Sequence, residues 1–224
     1  MKSFQAVLFD LDGTLADTAP DLAQTLNTLL QENDEQPLAF ETIRPHVSHG
    51  AMALLKLGFP QLPEDDLFAK YRERFLAIYL DNLTQYTRLF DGMEELLNYL
   101  ENQNILWGVV TNKPAFLTDP LMEELNLHRR AATIISGDTT ANKKPHPEPI
   151  YLACKQAKVE PQHAIYVGDA ERDIQAGNRA GLLTLAALFG YLNENDQPAQ
   201  WKADGLVEHP LDIKPWAMSR RSGL

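Results

Sequence analysis

Ala6-Val7-Leu8-Phe9-Asp10-Leu11-Asp12-Gly13-Thr14-Leu15 decides how the rest of the chain is read. Its first half is apolar with no polar alternation, the pattern of a strand buried on both faces of a parallel sheet. It ends abruptly in two carboxylates, a glycine and a hydroxyl. In an open parallel sheet, ligands bind just outside the carboxyl ends of the strands. Asp10 and Asp12 therefore sit where such a sheet does chemistry. Two aspartates one residue apart at a core strand's exit repel each other and are partly desolvated, costs that a bound cation would relieve. The plain alternative is a turn, since Asp-Gly after a strand is a common turn signal.

The whole sequence narrows the function classes. Its 224 residues can bury a sizeable core, and 44% hydrophobic with 23% charged residues is ordinary for a water-soluble globular chain. A net charge of −11 argues against a general nucleic-acid binder. The single cysteine, Cys154, excludes an internal disulfide framework and a Cys-based zinc cluster. Its apolar helical surroundings mark it as a small buried hydrophobe. The first strand starts almost at once, so no secretory leader is expected, and no apolar run approaches membrane-spanning length. The expectation is a cytoplasmic protein with no membrane and no nucleic-acid partner, a monomer or homodimer.

Along the chain, Asp17 and Thr18 offer helix-cap chemistry before Pro20, and Leu22, Ala23, Leu26, Leu29 and Leu30 recur at helical spacing. Helical patterns return over residues 40–47, 51–57 and 64–83, and no strand signal falls between Asp17 and Tyr86. From Leu89 the rhythm becomes helix, strand, helix. Strands are expected over residues 105–111, 132–136, 164–167 and 182–188, with a short one near Leu206. Alternation of this kind means a parallel α/β sheet with right-handed crossovers. The expected fold is thus a doubly wound parallel-sheet core (residues 1–16 and 90–224) with an inserted all-helical segment (residues 17–89). The last residues, 214–224, lack periodicity and read as a frayed or docked tail. Trp107, Trp201 and Trp216 do not cluster as a stacking platform would.

Three later strand ends answer the first. One exits into Thr111-Asn112-Lys113, a loop carries Lys143-Lys144-Pro145, and another strand exits into Gly168-Asp169 with Asp173 four residues on. Each piece alone has a dull reading: Thr-Asn as a cap pair, Lys-Lys-Pro as a solvated charge run, Arg172 and Asp173 as decoration of an exposed helix face. Their joint order is what carries chemistry. Three carboxylates without imidazole favour a hard, oxygen-loving cation, which points to Mg2+. A carboxylate nucleophile beside a proton-trading carboxylate can attack phosphorus and form an aspartyl-phosphate. Lys144 and the Thr111/Asn112 corner would hold the equatorial oxygens, where charge neutralisation dominates.

In this order the motifs resemble the four signatures of the haloacid dehalogenase superfamily: Asp10-Leu11-Asp12-Gly13-Thr14, Thr111-Asn112, Lys144-Pro145, and Gly168-Asp169 with Asp173. The resemblance implies a Rossmann-like core with a helical cap over the site. It implies Asp10 as nucleophile and Asp12 as acid/base, with Thr111 and Lys144 catalytic and Thr111, Asn112 and Lys144 on phosphate. It places Mg2+ on Asp10, the Asp12 backbone carbonyl and Asp169, with Asp173 supporting. An acid at position 12 departs from the dehalogenase and phosphonatase branches, and Thr14 resembles the phosphatases more than the phosphomutases. Ala170 departs from the polar residue many relatives carry there.

Gly137-Asp138-Thr139, the run from Lys143 to Pro149, and Ser48-His49-Gly50 are similar to bacterial phosphoglycolate phosphatases. The run from Trp107 to Pro114 and Gly190-Tyr191 resemble members acting on N-acetylmuramic acid 6-phosphate in peptidoglycan recycling. In the helical segment Ser48, His49 and Gly50 are the candidates for substrate contact. The expectation is a Mg2+-dependent phosphomonoesterase for a small phosphorylated metabolite. A sugar phosphomutase and a catalytically inert regulatory protein of the same fold are the alternatives.

Overall fold

The computed structural model describes residues 4–63 and 66–219. At its centre is β1 (Ala6–Phe9), every residue of which is 0–1% exposed. Val7 and Phe9 face one apolar cluster while Ala6 and Leu8 face another, so the strand is covered by helices on both sides.

Its sheet neighbours are β4 (Leu106–Val110) and β6 (Ala164–Gly168), both parallel to it. Beyond β4 lies β5 (Thr133–Ile135), and beyond β6 lie β7 (Leu183–Ala187) and β8 (Gly205–Val207). The strand order β5-β4-β1-β6-β7-β8 is parallel throughout. The chain winds outward from β1 in both directions, so the topological switch point lies at the carboxyl ends of β4, β1 and β6. Register reinforces this: Phe9 pairs with both Val109 and Val167, which sets Asp10 level with the exits of its two neighbours.

Helices α1 (Ala19–Glu32), α2 (Phe40–Ile43), α3 (Gly50–Gly58) and α4 (Asp66–Leu80) make up the segment after β1. Leu22, Ala23, Leu26, Leu29 and Leu30 form the buried stripe of α1 as their spacing predicts. The helix expected over residues 40–47 divides instead into α2 and a 3-10 turn, Arg44–His49, broken where Pro45 lacks an amide hydrogen. The helix expected over residues 64–83 ends at Leu80, and its first two positions lie outside the described residues. A short antiparallel pair, β2 (Ala16–Asp17) with β3 (Arg88–Leu89), joins the two points where the chain passes between the helical segment and the sheet. Strands of two residues carry no periodic signal, which is why the sequence hides them.

The remaining helices are α5 (Met93–Asn102), α6 (Ala115–Glu124), α7 (Glu148–Ala157), α8 (Glu171–Ala180) and α9 (Ile213–Ser219). Cys154 is buried on α7 as expected. The region read as an aperiodic tail begins with α9; residues 220–224 lie outside the described residues. Trp107 and Trp201 are core residues, and Trp216 packs at the edge of the core. Among the described residues no helix is long and apolar enough to cross a membrane.

Candidate active site

Asp10 is the first residue beyond β1, and its N–H donates to the Val167 carbonyl at 2.9 Å, continuing the ladder one step past the strand. Its Oδ1 accepts from the Leu11 N–H at 2.7 Å and lies 2.8 Å from the Lys144 ammonium. Only 3% of the residue is exposed. Burial first, then the Asp173 charge, raise its pKa to about 7, although Lys144 and Arg172 pull the other way.

Asp169 leaves β6 and Asp173 follows on α8, where its Oδ2 accepts from the Ala170 N–H at 3.1 Å. Carboxylate oxygens of Asp10, Asp169 and Asp173 lie within 4.8 Å of one another, and all three residues are buried. Burial and the Asp173 charge push Asp169 up to about 6, against the N–H of Tyr191 (2.9 Å) and the hydroxyl of Ser48 (2.7 Å), which hold its ionised form. Asp173 and Arg172 are not exposed decoration. Asp173 is fully buried, and Arg172 lines the cavity over the site. Burial opposes the Arg172 charge, and Asp173, Asp10 and Asp169 more than restore it.

Lys144 is buried among four oxygens. It donates to the Val110 carbonyl and the Tyr166 hydroxyl, each at 2.8 Å, and lies 2.8 Å from Asp10 and 2.7 Å from Asp173. The contact with Asp173 Oδ1 is Coulombic only: that buried oxygen has no hydrogen bond of acceptable direction. Asn112 holds the lysine in place. Its amide donates to the Lys144 carbonyl and its oxygen accepts from the Lys144 N–H, both at 3.0 Å. Both polar atoms of the Asn112 side chain are thus engaged by the Lys144 backbone. Thr111 is buried at the end of β4, where its Oγ1 accepts from the Lys113 N–H at 3.1 Å.

Asp12 stands apart from the acidic cluster. Its Oδ1 accepts from the Thr18 hydroxyl and from the Lys113 ammonium, both at 2.6 Å. The Thr18 hydroxyl therefore does not cap α1 as the sequence suggests. The Tyr191 hydroxyl does this instead, accepting from the N–H groups of Thr18 (2.6 Å) and Ala19 (2.9 Å). Gly13 makes the loop possible. Its φ of +83° suits glycine, and an added Cβ would lie 2.2 Å from Asp169 Oδ2. Gly13→Ala is expected to destabilise the fold by more than about 1 kcal/mol in urea unfolding.

Ser48, His49 and Gly50 arrive from the helical segment and line a cavity of about 420 Å3 over the site. Ser48 reaches furthest: its hydroxyl donates to Asp169, and its carbonyl accepts from Arg172 at 2.7 Å. An added Cβ at Gly50 meets nothing within 4 Å, so close packing does not demand this glycine; its φ of +78° does. Asp10, Asp12, Thr111 and Lys113 form one wall, and Leu22, Val47, Met52, Phe75, Leu76 and Tyr79 form the other.

The donor set fits a hard divalent cation. Among the described residues, three buried carboxylates face two cations, the buried Lys144 and the half-buried Arg172, because Lys113 is matched with Asp12. Burial first, and the Asp173 charge after it, raise the pKa values of Asp10 and Asp169, and Asp173 Oδ1 accepts no hydrogen bond, costs that a bound cation would relieve. A divalent ion would turn that excess into a net positive charge able to receive a phosphate.

Residues 7–187 match the model of the haloacid dehalogenase-like hydrolase family. The chain belongs to that family and is a hydrolase. It is 43% identical to an N-acetylmuramic acid 6-phosphate phosphatase of Pseudomonas putida, over 94% of each chain. It is 41% identical to a phosphoglycolate phosphatase of Xanthomonas campestris pv. campestris, over 95% of this chain and 96% of that one. Among solved structures, that of a predicted phosphoglycolate phosphatase from Haemophilus somnus superposes with a TM-score of 0.85 at 28% identity, covering 96% of this chain and 98% of its own.

Proposed function

We propose that the chain is a Mg2+-dependent phosphomonoesterase working through a phosphorylated Asp10, and that its substrate is N-acetylmuramic acid 6-phosphate. The observation that carries the chemistry is the buried Asp10 carboxylate at the switch point, 2.8 Å from Lys144 and beside Asp169 and Asp173.

In this reading Asp10 attacks phosphorus while the ester P–O bond breaks, and Asp12 gives its proton to the departing alkoxide. Water then attacks the aspartyl-phosphate, Asp12 takes the water's proton, and the Asp10–phosphorus bond breaks. Phosphate leaves and both carboxyl groups are restored. Asp10, Asp169 and the Asp12 carbonyl would hold Mg2+, with Asp173 behind them, and the ion would neutralise charge on the phosphoryl oxygens. Lys144 and Thr111 would share that task. Residues 17–89 serve as a cap over residues 1–16 and 90–224. The cavity between their walls and the bond from Ser48 to Asp169 support this.

Cavity size favours the sugar acid. The cavity, about 420 Å3 and reaching from Asp10 and Thr111 to Met52 and Arg72, has room beyond a phosphoryl group for a sugar-sized body. Its apolar wall also suits a molecule with carbon surface to bury. 2-Phosphoglycolate is the second reading, favoured by the name of the Xanthomonas relative. Steady-state rates on both compounds are expected to give a kcat/KM at least about tenfold higher for the sugar acid, about 1.4 kcal/mol of transition-state discrimination. The reverse preference overturns the substrate assignment. Isomerisation without stoichiometric phosphate release would make the enzyme a mutase.

A further inference from the structure

Lys113 has no part in the chemistry above, yet it is a buried cation at the site, its side chain 6% exposed. It meets Asp12 Oδ1 at 2.6 Å and the Tyr79 hydroxyl at 3.0 Å, and Tyr79 belongs to α4 of the helical segment. Thr18, at the start of α1, donates to the same Oδ1. Both donors thus fall on one oxygen of Asp12, whose side chain is 18% exposed and lines the cavity, and this leaves Oδ2 for the reacting group. A lysine buried only for packing would be costly, and one serving phosphate would point its ammonium at Asp10 and Thr111 rather than across to Tyr79.

We infer that Lys113, located by Tyr79 from the helical segment, is the positioning residue that orients the Asp12 carboxyl for proton transfer to the leaving alcohol. The inference rests on the phosphatase reading. It makes proton transfer, the step needing the finest aim, depend on side chains from both walls of the cavity. A rotated carboxyl places its free oxygen away from the ester oxygen, so an alkoxide departs unprotonated.

The test exploits leaving groups. An alkoxide needs the proton, whereas para-nitrophenolate leaves without one. For Lys113→Met, kcat/KM is expected to fall about 100-fold on whichever of N-acetylmuramic acid 6-phosphate and 2-phosphoglycolate the wild type prefers, but less than about fivefold on para-nitrophenyl phosphate. Tyr79→Phe is expected to show the same asymmetry at about tenfold against twofold, and it serves if Lys113→Met fails to fold. In an Asp12→Ala background, Lys113→Met is expected to cost less than about twofold more, since it acts through the missing carboxyl. Equal losses on alkyl and aryl phosphates, or full additivity with Asp12→Ala, would overturn the inference while leaving the phosphatase standing. A wild type that cleaves no phosphate ester overturns both.

Discussion

Asp10→Asn is expected to lower phosphatase turnover by at least about 10^4-fold while leaving the protein folded. The amide keeps the size of the carboxyl but cannot attack phosphorus, and Asp12, the other carboxylate at this strand's exit, is held by Thr18 and Lys113. Its effect on stability runs opposite to its effect on rate. Burial and Asp173 raise the Asp10 pKa to about 7 in spite of Lys144, so at pH 8 the surroundings on balance disfavour the charge. Replacing it with a neutral group of the same shape is therefore expected to leave the metal-free protein melting no lower than wild type at pH 8. Phosphate release measured beside thermal unfolding checks both halves. Residual activity within tenfold of wild type would refute Asp10 as the nucleophile.

The second large effect is stabilisation by Mg2+, and it depends on pH. Asp10 (about 7) and Asp169 (about 6) both lie above the ordinary aspartate value of 3.8. Between pH about 4 and about 7 the folded, metal-free protein thus binds more protons than the unfolded chain. The stability these groups contribute is complete below pH about 4 and is lost as pH rises through about 6 to 7. A divalent cation binds the same oxygens once the protons have gone. At 100 times its dissociation constant it adds about 2.7 kcal/mol, which for a chain of this size raises the melting temperature by roughly 5–10 °C. The full shift is expected at pH 8 and a much smaller one at pH 5, where protons compete for the carboxylates. Asp169→Asn is expected to remove most of it. Equal shifts at both pH values, or a full shift in Asp169→Asn, would refute the carboxylate cluster as the cation site.

The buried opening strand and its exit into Asp10 are legible because β1 is apolar at every position and therefore lies in the sheet's middle. The later strands are legible for the same reason, and each ends within a residue or two of where its apolar run ends. Thr111, Lys144 and Asp169 could be marked because parallel strands deliver their exits to one edge, so order along the chain stands in for proximity. The β2–β3 pair and the break at Pro45 were obscured by short or mixed signals. Arg172 was obscured differently: a charged residue in a helix's first turn reads as solvated unless something in space draws it inward.

The sequence by itself determined which residue types stand at the strand ends and in what order, because apolar continuity and strand direction are local properties of the chain. Only the tertiary structure decided what each of those side chains touches. It put Asp173 against Lys144 rather than in solvent, spent Asn112 on the lysine loop, capped α1 with Tyr191 instead of Thr18, and set Lys113 between Asp12 and Tyr79. These contacts join residues far apart in the chain, and most depend on which rotamer a buried polar group adopts to find its partner. Burial leaves such a group few alternatives, and no periodicity in the sequence records the choice.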